Sequence, residues 1–390
     1  MNHVYFVPPR FKGPPGQEDM PYLLTAGPVT TSRAAKIAML ADHGPDDGEF
    51  RGLISDIRRD LKRLSGAGSS HEVLLVPGPG LLAVEAALTS LAPAKRKKTL
   101  VISNGRDADA AAAILVKMDR PVVKLDKAEN ATPTVAEVAA LLDADHDISH
   151  VWMSHCDSTS GLVNPVGDIG KLVKERNKTF MVDASLSFGA MPLDVIGDQL
   201  DVMVAVPETC LESVPGFAIV AVRRDLLLSA AGKCPSQAMD LHALWETQEG
   251  AGHFRMTPPT QAFAAFRQAL RELETEGGIG MRRARYQRNA QELITRMRAM
   301  GFTPLLAEGD AGPLVQCFLA PRDKKFDFAL FQEGLRQRGY LIAPGQLGKR
   351  ASFRVGGMGQ VDHKVIKGFA GAVEAVLKDL DVQEFTPQDA

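Results

Sequence analysis

The chain has 390 residues, 45% hydrophobic and 24% charged, with a formal net charge of −2. That length suits one large domain with a smaller one, and the near-neutral balance gives no electrostatic case for nucleic acid or an anionic membrane. No apolar run approaches the roughly 18–20 residues of a membrane span. Residues 1–20 lack an apolar signal-peptide core. The four cysteines, Cys156, Cys210, Cys234 and Cys317, show no C-x-x-C spacing, and the histidines do not cluster. A cytoplasmic protein with free thiols and no metal site is expected.

Residues 1–20 carry Pro8, Pro9, Pro14 and Pro15 with Gly13 and Gly16, which predicts an extended arm. From Tyr22 to about Arg223, short apolar runs alternate with helical patterns. Strands are predicted at 72–76, 99–103, 122–125, 149–155, 179–183, 201–206 and 218–222. Helices are predicted at 81–91, 108–117, 134–142 and 169–176. Near-continuously apolar strands alternating with amphipathic helices predict an α/β fold whose mostly parallel sheet is covered on both faces. Residues 260–299 read as two long helices broken at Gly277-Gly278. A smaller α+β unit follows, with strands at 314–319, 340–342 and 352–355, helices at 328–338 and 363–377, and a polar tail at 383–390 expected to fray. The division is an arm at 1–20, a large domain at 21–275 and a small domain at 276–390.

Several strand ends carry polar or Gly-rich segments, where open α/β sheets place ligands. They are the run from Leu24 through Gly27-Pro28-Val29-Thr30-Thr31; Gly78-Pro79-Gly80 before a helix; Ser103-Asn104-Gly105; His155-Cys156-Asp157-Ser158-Thr159-Ser160-Gly161; Val182-Asp183-Ala184; Val214-Pro215-Gly216-Phe217; and Phe353-Arg354-Val355-Gly356. A helix N-terminus binds phosphate through free N–H groups. Pro79 has none, and Leu81 has no hydroxyl. His155 reads as a satisfied buried histidine.

In this order and spacing the segments resemble the class V aminotransferases, pyridoxal-phosphate enzymes of fold type I, and within them the branch acting on aminophosphonates. The resemblance runs from Tyr22 to about Leu377. It implies that Asp183 pairs with the coenzyme's pyridinium nitrogen and that Ser158 and Thr159 sit at its ring hydroxyl. It implies that Gly78, Pro79 and Gly80 form the phosphate cup and that Arg354 clamps a substrate carboxylate. Thr30 and Thr31 fall on the substrate side. Thr257 and Thr260 match a loop reaching a partner subunit's phosphate site, although Thr257 also suits a plain helix cap. A homodimer is therefore expected.

Four departures from the pattern stand out. Asp107 stands where an aromatic residue stacks on the ring, or else is simply a solvated acid at a helix start. Ala41, His43 and Pro45 replace the usual arginine and tryptophan near a phosphonate. The cup holds Pro79. Thr209, by its spacing to Val214-Pro215-Gly216-Phe217, stands where the family carries the lysine that forms the imine and moves the proton. Neither Lys178 nor Lys233 lies in that turn, and Glu208 could at most shuttle a proton. Three readings follow. The chain is an inactive homologue that binds a small molecule or regulates, perhaps beside an active aminotransferase; or an enzyme using pyridoxamine phosphate non-covalently or no cofactor; or an active transaminase with another lysine at the ring.

Overall fold

The computed structural model describes residues 13–14, 20–250, 252–307, 309–345, 347–348 and 350–387. Most of the expected N-terminal arm lies outside the described residues. In chain order the elements begin β1 (Tyr22–Leu24), α1 (Arg33–Ala38), α2 (Gly48–Leu64), β2 (His71–Pro77), α3 (Gly80–Leu91) and β3 (Lys98–Ser103). There follow α4 (Arg106–Lys117), β4 (Val122–Asp126), α5 (Val135–Ala144), β5 (Ile148–Ser154), α6 (Val166–Glu175), β6 (Thr179–Asp183), β7 (Val202–Ala205) and β8 (Phe217–Arg223). Then come α7 (Arg224–Ser229), α8 (Leu241–Gly250), α9 (Thr260–Glu276), α10 (Gly278–Ala299), β9 (Val315–Leu319), α11 (Phe328–Gln337), β10 (Tyr340–Pro344), β11 (Ser352–Gly356) and α12 (His363–Asp379).

The large sheet has seven strands in the order β2-β8-β7-β6-β5-β3-β4. Strands β3 to β7 pair in parallel, and β8 runs against both its neighbours. One apolar cluster fills each face, one around Phe263 and Ile102, the other around Trp152 and Leu88. Strands buried on both faces are apolar, as in Val202–Ala205, buried throughout; the edge strand His71–Pro77 also buries His71 and Glu72, the Glu72 carboxylate paired with Lys62. The fold class read from the sequence holds. The helix pair 260–299 breaks where expected: Gly277 takes φ +101, a left-handed cap between α9 and α10.

Three expectations need correction. β1 pairs in parallel with β10, so a strand from the start of the chain belongs to the four-stranded small sheet β1-β10-β11-β9. Leu24 is accordingly buried in the small-domain core with Phe353 and Phe369. A helix absent from the predicted elements, α2, starts after Asp47, whose carboxylate accepts from the Glu49 N–H and caps it. The tail up to Pro387 does not fray. Asp323 accepts from the Gln383 and Glu384 N–H groups, and Phe385 packs edge-on against Phe302.

Candidate active site

The carboxyl ends of β5, β6 and β7 meet the first turns of α3 and α4 around a cavity of about 230 Å³. Gly80, Asp107, Ser158, Asp183, Glu208 and Thr209 line it, joined by Ala26, Ser185, Leu186 and Val206. Six of the positions chosen from sequence thus come together.

Asp183 closes β6 and is 9% exposed. One carboxylate oxygen accepts from the Ser185 N–H at 2.9 Å. Burial, then the neighbouring Asp107, push its pKa up to about 6. Asp157, fully buried behind the cavity wall, is raised by the same two causes to about 7. The backbone at Gly105 has to be bare here, since a Cβ would lie 2.1 Å from the Asp157 carboxylate. Burial raises Glu208 as well, and its Oε2 has no hydrogen-bond partner among the described residues. Glu208 is half-buried, not the exposed turn residue its sequence position suggests.

Asp107 is neither a stacking surface nor a solvated acid. Its two oxygens accept from the Ser158 N–H at 2.8 Å and the Ser158 hydroxyl at 2.9 Å, which ties the start of α4 to the loop after β5. Thr209 is buried, and its hydroxyl donates to the Ser185 carbonyl at 2.6 Å. The turn carrying it is fixed from below. Glu212, 1% exposed, accepts from Arg285 Nη2 at 2.6 Å, from Gln360 Nε2 at 3.0 Å and from the Tyr286 hydroxyl.

The remaining chosen residues stand elsewhere. Gly78 and Pro79 frame the start of α3 without lining the cavity; Pro79 is the N-cap and offers no side-chain cap. Leu81 is 56% exposed beside it. Thr159 is buried, and its hydroxyl accepts from the Arg106 N–H. Arg354 donates through Nη1 to the Ser158 carbonyl at 2.6 Å and through Nε to the Pro344 carbonyl at 3.0 Å, so two of its donors bind backbone. The Thr30 hydroxyl accepts from the Leu23 N–H, and Thr30 and Thr31 line a separate cavity of about 180 Å³. Thr257 is exposed and caps nothing; α9 starts at Thr260 after Pro259. His155 is buried and pushed down to about 4 by burial, but its Nδ1 has no partner among the described residues, so it is not the satisfied histidine expected. Ser185, which the sequence reading passed over, accepts the Thr209 bond; its place two residues beyond the aspartate ending β6 is the signal that could have found it. No His, Cys, Asp or Glu cluster among the described residues could hold a metal ion, and the four cysteines are free.

Two solved structures share this architecture: ureidoglycine-glyoxylate aminotransferase from Bacillus subtilis (TM-score 0.86, 20% identity, 94% of this chain and 95% of that one), and pyridoxamine-pyruvate aminotransferase from Mesorhizobium loti (TM-score 0.86, 22% identity, 94% of each chain). The fold is that of the pyridoxal-phosphate-dependent fold type I transferases. The aminotransferase class-V family model matches residues 46–333. Curated relatives include the 2-aminoethylphosphonate–pyruvate transaminases of Rhizobium meliloti, 38% identical over 94% of this chain and 96% of that protein, and of Pseudomonas aeruginosa, 38% identical over 94% and 99%. The chain belongs to the class V aminotransferase family.

The family's coenzyme needs a lysine amine, a phosphate cup and a partner for its ring nitrogen. Asp183 suits the last. No lysine, arginine or histidine lines the cavity among the described residues, whereas three carboxylates do. Among the described residues the lining offers no side-chain amine for an imine and no side-chain cation for a phosphate.

Proposed function

We propose that this chain is an aminotransferase homologue that does not hold pyridoxal phosphate through an imine, and that it serves as a small-molecule-binding or regulatory protein. The observation carrying this reading is Thr209 in the cavity wall, its hydroxyl donated to the Ser185 carbonyl. A hydroxyl cannot form the imine. Asp107 and Glu208 oppose a phosphate dianion, and Pro79 removes an N–H donor. Each charge-assisted bond lost is worth about 1.5–3 kcal/mol, so two losses weaken coenzyme binding by roughly 10²–10⁴-fold. We place the protein in the cytoplasm as a homodimer, on the family pattern, with an active aminotransferase as a possible second partner.

One observation favours a second reading, an enzyme that uses the inherited cavity without the aldehyde coenzyme. Glu208 lines the cavity with a raised carboxyl and an unpartnered oxygen, the condition in which a carboxyl serves as a general acid or base.

The test is to incubate the purified chain with pyridoxal phosphate, reduce with borohydride, dialyse and map any adduct by mass spectrometry, with alanine formation from 2-aminoethylphosphonate and pyruvate measured in parallel. No stoichiometric adduct and no alanine are expected. A stoichiometric adduct on one lysine, with turnover, overturns the proposal. Retention through dialysis of pyridoxamine phosphate, added in a separate incubation, favours the second reading. Sedimentation at micromolar protein checks the dimer.

A further inference from the structure

A second cavity, of about 660 Å³, lies where α10 faces the loop that follows β5 and the chain leading into β9. Ser158 lines the cavity described above and Ser160 lines this one, so the loop between them is the partition. One face of α10 supplies Arg283, Gln287, Ala290, Ile294 and Arg298, a spacing of three and four residues that keeps them on one stripe. Val163, Leu306 and Ala311 add apolar surface to the lining. The volume falls in the range of small-molecule pockets.

Arg283 is the feature that calls for a ligand. Its guanidinium makes no ion pair and no hydrogen bond among the described residues, and its Nε is buried without a partner. Its helix neighbours behave differently: Arg282 and Arg285 both pair with Glu276 and Glu212. A buried N–H is rarely left unsatisfied, and Arg283, half-buried overall, turns this one away from water with no acceptor among the described residues. Asp310 and Arg298 also line the cavity, but both are exposed at its rim.

We propose that this cavity binds a small amphipathic carboxylate, its head paired in forked geometry with Arg283 and its carbon chain laid along Val163, Leu306 and Ala311. A guanidinium recognises a planar carboxylate through two parallel N–H donors, and the apolar walls exclude water from that pair. The site would bridge a loop of the large domain and the helix leading into the small one.

The probes are hexanoate, hexanol and hexylamine, titrated calorimetrically into the full chain. Hexanoate is expected to bind at a single site, with hexanol and hexylamine weaker by at least about tenfold, the worth of one charge-assisted bond. Arg283→Gln is expected to weaken hexanoate by a similar factor, Arg283→Lys by less, and Ala311→Trp to block it, while Leu81→Trp, at the other cavity, leaves it unchanged. Equal affinity for hexanoate and hexanol in the wild-type protein overturns the proposal without recourse to any variant. So does no hexanoate binding at about 10 mM, unchanged binding by a folded Arg283→Gln protein, or loss of binding in Leu81→Trp with retention in Ala311→Trp.

Discussion

In a chain that holds a pyridinium ring against Asp183, that carboxylate is paired and removing its charge destabilises the loaded protein. In this chain Asp183 faces Asp107 and Glu208 across the cavity, and the opposite outcome is expected for Asp183→Asn. Burial and Asp107 move the carboxyl from the ordinary 3.8 to about 6. Between those values the unfolded chain has lost the proton and the native chain keeps it, so the native state binds more protons and its stability falls as pH rises. The cost is absent below pH 4 and complete above pH 6. At 1.36 kcal/mol per pH unit the gap corresponds to about 3 kcal/mol. An asparagine keeps the acceptor for the Ser185 N–H and removes the charge, at some expense for its buried amide. The variant should therefore be about 1–3 kcal/mol more stable than the parent at pH 8, with the difference shrinking towards zero near pH 4. Urea unfolding at pH 4.5, 6 and 8 measures it. If Asp183→Asn is less stable at pH 8, or the difference does not grow with pH, the carboxylate is compensated and the charge argument against the coenzyme fails.

Glu212→Ala strips the acceptor from Arg285, Tyr286 and Gln360 and should cost about 3–5 kcal/mol, the range for breaking a buried ion pair, read as a lower urea midpoint. Gly161→Ala places a Cβ 2.2 Å from the Val315 carbonyl at φ +83; strain plus clash should cost at least about 2 kcal/mol and loosen the loop from β9, detectable as faster amide exchange at Gly312, whose N–H donates to the Gly161 carbonyl. Thr209→Lys, treated with pyridoxal phosphate and borohydride, should gain an adduct mapped to residue 209 that the parent lacks. Absence of that adduct in a folded protein would mean that the turn does not present this side chain as the family resemblance implies.

The large sheet was legible because parallel strands covered on both faces must be apolar without interruption, and runs such as Thr179–Asp183 leave little choice of element. The break at Gly277 was legible for a similar reason, since a left-handed cap selects glycine. The pairing of β1 was not, because three residues carry no mark of a partner strand near the other end of the chain. The helix at Gly48–Leu64, absent from the predicted elements, did carry its stripe, Phe50, Ile54, Ile57 and Leu61, and its cap at Asp47.

Residue types located the Asp183 cavity but not the use each side chain is put to. Asp107 stands where a stacking ring or a solvated acid was expected, yet both its oxygens are engaged by Ser158. Arg354 looked free to clamp a carboxylate, yet it holds the Ser158 and Pro344 carbonyls. Together these bonds form a chain, Asp107 to Ser158 to Arg354 to Pro344, that joins the start of α4 in the large domain to the small sheet. Ser158 and Arg354, which the family resemblance assigns to ligands, thus also connect the domains, with a different cavity on either side of the Ser158–Ser160 partition. A ligand that displaced Arg354 from both the Ser158 and Pro344 carbonyls would have to offset two charge-assisted bonds, about 3–6 kcal/mol in all. That cost favours ligands that leave the chain intact.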